Sequence, residues 1–156
     1  MGAASNAADI LNETGGSYVG FAWDAGTAAA TASTDGSITP SAQWVNATAG
    51  FSISKYTGTG SVATVGHGLG AKPDLIIVKE LGGVGNFLVY HRIMGAEKFM
   101  SLNDIGNESD SNAIWNDTEP TNTVFTVGTA GDVNGDSGTF IAYAWTGIPG
   151  FSSFGK

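Results

Sequence analysis

Apolar and polar residues alternate with a period of two along much of this chain, the pattern of strands whose two faces meet different surroundings. Ser17–Trp23 (SYVGFAW) sets Tyr18, Gly20 and Ala22 against Val19, Phe21 and Trp23. Gly50–Tyr56 (GFSISKY) alternates Phe51 and Ile53 with serines, which predicts a strand with one wet face. Ser61–His67 (SVATVGH) is a shorter alternating piece. Asp74–Lys79 (DLIIVK) is a continuous apolar run behind Pro73 and predicts a central, buried strand. Asn86–His91, Lys98–Leu102, Thr123–Val127 and Thr139–Trp145 (TFIAYAW) complete the series. On this reading Phe51, Ile53, Leu75, Ile77, Phe125, Val127, Ile141 and Trp145 form the core.

The connections carry turn chemistry, in Asp35-Gly36, Gly58-Thr-Gly60, Gly82-Gly83, Gly106-Asn107 and Asn134-Gly135. No segment sustains a helical apolar stripe over three turns; a short helical turn at Ala7–Asn12 is the most that the N-terminus offers. The expected fold is all-β, a β-sandwich or jelly-roll-like domain with an N-terminal arm strand. The low-complexity stretch Gly26–Ser37 reads as a surface loop or linker. It divides the chain into residues 1–37, an arm with one strand and a flexible linker, and residues 38–156, the sandwich.

Composition narrows the function classes. Six Lys+Arg stand against fourteen Asp+Glu, a net charge of -8, which repels phosphate backbones and argues against nucleic-acid binding. The chain has no cysteine, which excludes disulfides, thiolate metal sites and cysteine nucleophiles. No apolar run approaches the roughly 18 residues of a spanning helix, so no membrane insertion is expected, and no signal peptide is visible. The expectation is a soluble, acidic, glycine-rich β domain.

Two segments echo each other. Ser17-Tyr-Val-Gly-Phe-Ala-Trp23 matches Thr139-Phe-Ile-Ala-Tyr-Ala-Trp145 position by position, with identical or similar residues throughout. One reading is two ordinary strands rich in β-formers. The sharper reading makes Tyr18, Val19, Phe21 and Trp23 an assembly strand that pairs at an equivalent sheet edge, in its own subunit or in a neighbour.

Candidate chemistry is thin. His67 and His91 lack a third ligand at metal-binding spacing and read as loop-pinning residues. Gly66, Gly68 and Gly70 lack the Lys-Ser/Thr of a phosphate loop and read as a tight turn before the apolar run. Asp132, Asn134 and Asp136 resemble half a calcium loop, but its twelfth position is Tyr143, so a hairpin turn tipped by Asn134-Gly135 is preferred. Asp104, Glu108, Asp110, Asp117 and Glu119 cluster in a polar stretch, with nothing to raise one carboxyl for glycoside hydrolysis. Trp115 beside Asn116 and Asp117, together with Trp44 on a second loop, is what a sugar site uses: a ring face with polar partners. Core packing is the plainer role for each tryptophan. No catalytic residue, cofactor or metal is assigned.

A family resemblance adds to this. The runs GFSISKYTGTGSVATVGHGLGAKPDLIIVKEL, VYHRIMGAEKFMSLN, WNDTEPTNTVFTVGT and IAYAWTGIPGFSSFGK, in that order, resemble a domain of tailed-phage structural proteins. It is found in tail-fibre-like proteins of marine and cyanobacterial phages. The match covers about Gly50 to Lys156, and SYVGFAWDAG resembles the strand that precedes such a domain. Departures are Ala144 where the family has Cys, Phe99 where it has Tyr, and Leu88 where Pro is frequent. The resemblance implies a non-enzymatic structural component of a virion or extracellular appendage, partnered with other virion proteins. A homo-oligomer, trimer or fibre, goes with it. The alternative is a glycan-binding module that recognises a host surface.

Overall fold

The structure is a computed structural model and describes residues 15–27 and 31–155. The helical turn expected at Ala7–Asn12 lies outside the described residues. Nine strands form: β1 (Ala42–Asn46), β2 (Phe51–Thr57), β3 (Ala63–Gly66), β4 (Leu75–Glu80), β5 (Leu88–His91), β6 (Lys98–Ser101), β7 (Ser109–Asp110), β8 (Val124–Val127) and β9 (Thr139–Trp145). One-turn helices α1 (Asn112–Trp115) and α2 (Gly131–Asn134) flank β8.

Seven strands pair antiparallel in the order β1-β2-β9-β4-β5-β6-β7, and β3 pairs with β8 in a second sheet. The result is an all-β, sandwich-like domain, with unequal sheets. Its core lies between one face of the large sheet and a layer made of β3, β8 and the two helical turns. The large sheet contributes Tyr56, Ile76, Val78, Leu88, Tyr90 and Phe140, and the opposing layer Val65, Phe125, Val127, Ile114, Trp115 and Val133. Tyr56 stacks on Phe140 with centroids 5.3 Å apart, and its hydroxyl donates to the Val133 carbonyl at 2.6 Å. The ring is thereby buried without stranding its polar end.

The strand positions agree with the alternation, but the phase of the large sheet is inverted. On β2 the residues facing the core are Ser52, Ser54 and Tyr56, while Ile53 is half-buried on the other side. On β4 they are Ile76 and Val78, not Leu75 and Ile77; on β9 they are Phe140, Ala142 and Ala144, not Ile141. Phe125, Val127, Phe51 and Trp145 are buried as expected, the last two on the outer face. Close approach explains the serines. The side chain of Gln43 donates to Ser54 Oγ at 2.9 Å and to the Gly66 carbonyl at 2.8 Å, so β3 passes directly over β1 and β2. Bulky residues have no room there; Gln43 and Ser54 are paired, while the buried Ser52 Oγ has no hydrogen-bond partner.

Three further expectations change. Ser17–Trp23 forms no strand and pairs with none of the described strands. Trp44 lies on edge strand β1 rather than on a loop. The second half of the supposed linker is bound to the body: Ser33 N–H donates to Gln43 Oε1 at 2.8 Å, and Ser37 N–H to Thr64 Oγ1 at 2.9 Å. Ile38 then bridges to Val65.

Candidate functional site: the outer face of the large sheet

The register of the large sheet lines up one row of residues on the face away from the core. Trp44 stands opposite Ile53, Ile53 opposite Tyr143, Tyr143 opposite Ile77, Ile77 opposite Val89, and Val89 opposite Met100. The row crosses six strands without a charged side chain. A second row runs through Asn46, Phe51, Trp145, Leu75 and His91. A third holds Ala42, Lys55, Ile141 and Lys79. No carboxylate stands in any of the three, in a chain with fourteen acids.

Over this face runs an apolar groove of about 440 Å³, lined by Trp23, Phe51, Ile53, Ile77, Tyr143 and Trp145 among others. Its aromatic rings are ordered against one another. Phe51 stacks on Trp145 at 4.8 Å, Tyr143 on Trp145 at 6.2 Å, and Trp23 meets Trp145 edge-on at 5.5 Å. The Trp145 indole N–H is buried without a hydrogen-bond partner. Leu102 at the groove wall and Met100 nearby are exposed.

The arm enters at Trp23. Asn46 donates its side-chain amide to the Asp24 carbonyl at 3.3 Å, and Gly26 N–H donates to Asp24 Oδ1 at 2.7 Å, which fixes the arm beside β1. Upstream, Val19 and Phe21 are 82% and 78% exposed. Phe21 stacks on Trp23 at 6.2 Å and 24°, nearly the geometry of Tyr143 on Trp145, 6.2 Å and 26°. The sequence echo is thus also an echo of side-chain arrangement. Pairing at an edge equivalent to that of β9 is closed within the domain, because β2 and β4 already flank β9.

The other singled-out residues are scattered. Trp115 is 2% exposed and packs edge-on against Tyr90 at 6.2 Å on the core side, so its ring offers no face to a sugar. Trp44 stands on the opposite side of the sheet. Asn116 and Asp117 are exposed and left-handed, ending α1. Asn134 is not a turn tip. It is fully buried, accepts from Thr59 N–H at 2.9 Å, and donates to the carbonyls of Ser61 at 2.6 Å and Gly128 at 2.8 Å. Its side chain is engaged by the protein, and Asp132 and Asp136 flank it without converging with a third acid. Among the described residues no group of three or more His, Asp or Glu comes together.

His67 is also buried. Leu69 N–H donates to its Nδ1 at 3.2 Å, so Nε2 carries the proton and donates to the Thr121 carbonyl at 3.2 Å. Burial lowers its pKa against the opposing effects of that carbonyl and of Asp35. Gly68 and Gly70 are both left-handed, forming the turn that leads into β4. His91 Nδ1 accepts from Ile93 N–H at 3.2 Å, a loop-pinning contact.

Among the clustered acids, Glu108 pairs with Lys98. Glu119 accepts from Tyr90 Oη at 2.6 Å, Lys72 Nζ at 2.8 Å and Ala96 N–H at 2.8 Å. Partial burial pushes its pKa up, but the three donors more than offset that and hold it below the ordinary value. Sequence reasoning missed the Glu119 junction, and it missed the outer face because that face was assigned to the core.

Fold and face together define a small all-β domain with a broad, uncharged apolar row on one sheet surface. The chain belongs to the family described as Domain of unknown function (DUF7483), whose model matches residues 1–156. No curated protein and no solved structure matches it.

Proposed function

We propose that the protein is a structural component of a phage virion or extracellular appendage, acting by assembly and surface contact rather than by turnover. The observation that carries this reading is the six-strand apolar row, Trp44 to Met100, on a face that the domain's own core leaves open. A contiguous apolar surface of this kind is costly in water and marks an interaction site. The ordered motifs shared with tail-fibre-like phage proteins support the setting. The glycan-binding alternative draws less support, because Trp44 and Trp115 lie on opposite sides of the large sheet. The test is light scattering and electron microscopy of the purified full chain. The expected result is a defined oligomer or fibre; a monomer at all attainable concentrations contradicts the reading.

A further inference from the structure

Within one subunit an apolar arm and an apolar face are both left open. In an extended chain Val19, Phe21 and Trp23 share one side, and the stacked rings of Phe21 and Trp23 place those two together. Trp23 already sits against Phe51 and Trp145, so the groove accepts an aromatic of this segment. Yet Val19 and Phe21 remain mostly exposed, although Trp23 of the same arm already lines the groove, and the hydrogen bond from Asn46 to the Asp24 carbonyl ties the arm to β1.

We propose that the outer face of each subunit receives the arm of a second copy of this chain, with that copy's Val19 and Phe21 lying over Ile53, Tyr143 and Ile77. This rests on the assembly reading and names its surface and its partner. Two features point to this occupant. The arm from Gly15 to Ala22 is uncharged, like the central row it would cover. Its eight residues, extended, reach about 26 Å. Crossing from β9 to β6 takes three strand spacings, about 14 Å. The contact lies across the face of the sheet, so it needs no free edge beside β9.

The test uses the full chain in two ways. Phe21→Asp alters a residue that supports no core contact, and it should weaken self-association by about tenfold or more, the loss expected for an aromatic no longer buried. Benzoylphenylalanine placed at position 21 of an isotope-labelled copy, mixed with unlabelled chain and irradiated, should crosslink between copies, to β2, β4 or β9. A wild-type protein that never self-associates overturns both this inference and the assembly reading. Assembly that survives Phe21→Asp, or crosslinks between copies that map elsewhere, overturns this inference alone. A crosslink within one chain to the same strands shows the arm folding onto its own face and also overturns it.

Discussion

Trp23 and Trp145 end two nearly matching heptapeptides, and their rings meet edge to face with centroids 5.5 Å apart. The contact joins a segment that pairs with no strand to the strand at the centre of the outer face. Two indoles this close couple their transitions, so the folded protein should show an exciton band in far-ultraviolet circular dichroism. Trp23→Ala should abolish that band and lower stability by about 0.5–1.5 kcal/mol, the usual worth of an aromatic pair. A band unchanged in the variant means that the arm does not rest on the sheet in solution.

The inverted phase of β4 separates two adjacent isoleucines. Ile76 is fully buried in the core, and Ile77 is half-buried on the outer face. Ile76→Ala should therefore cost about 2–5 kcal/mol. Ile77→Ala should cost about 1 kcal/mol or less in dispersed subunits. Urea unfolding at low protein concentration measures both, and equal or reversed costs would return Ile77 to the core.

Strand existence was legible because alternation depends only on local sequence. Which face meets the core was not, and β2 shows why. Phe51 and Ile53 look like the inward set, and Ser52 and Ser54 like the wet set. Ser54 faces inward beneath the Gly66 carbonyl of β3, a long-range contact that no window of residues contains. The apolar set then falls on the surface available to a partner. β1 was missed because SAQWVN alternates poorly: Gln43, the one residue it buries, is polar. Asn134-Gly135 looked like a hairpin tip because Asn favours turns. Its side chain bonds to Thr59 and Ser61, both more than 70 residues away in sequence. The arm alternates like a strand yet pairs with no described strand of its own chain, since alternation says nothing about whether an edge is free.

Asn134 joins the Gly58–Ser61 turn to the segment after β8 through bonds to Thr59, Ser61 and Gly128. Asn134→Ala leaves the buried Gly128 carbonyl and the part-buried Thr59 N–H without their side-chain partner and should cost about 1–3 kcal/mol. Asn134→Asp keeps the shape but turns a carboxylate oxygen toward two carbonyls, and it should be no better tolerated. A change in urea midpoint worth under about 0.5 kcal/mol for either variant would mark the position as an ordinary surface turn.

Acid stability should fall in two windows, each traceable to one residue. Burial holds the His67 imidazole neutral below its ordinary pKa of 6.5. Between 6.5 and the lower folded value, unfolded chains bind a proton that folded chains refuse, so each step down in pH favours unfolding. Above 6.5 neither state is protonated there and the residue adds no slope. Protonation in the folded state would also turn Nδ1 from the acceptor of Leu69 N–H into a second donor. Glu119 acts lower on the scale. Its folded pKa lies below the ordinary 4.5, so its contribution is complete above 4.5 and is lost as pH falls through the folded value. Urea midpoints measured from pH 8 down to about pH 3 should descend in both windows for the wild type. His67→Gln should flatten the upper limb alone, and Glu119→Gln the lower limb alone. An upper limb that persists in His67→Gln would show that another group carries that slope.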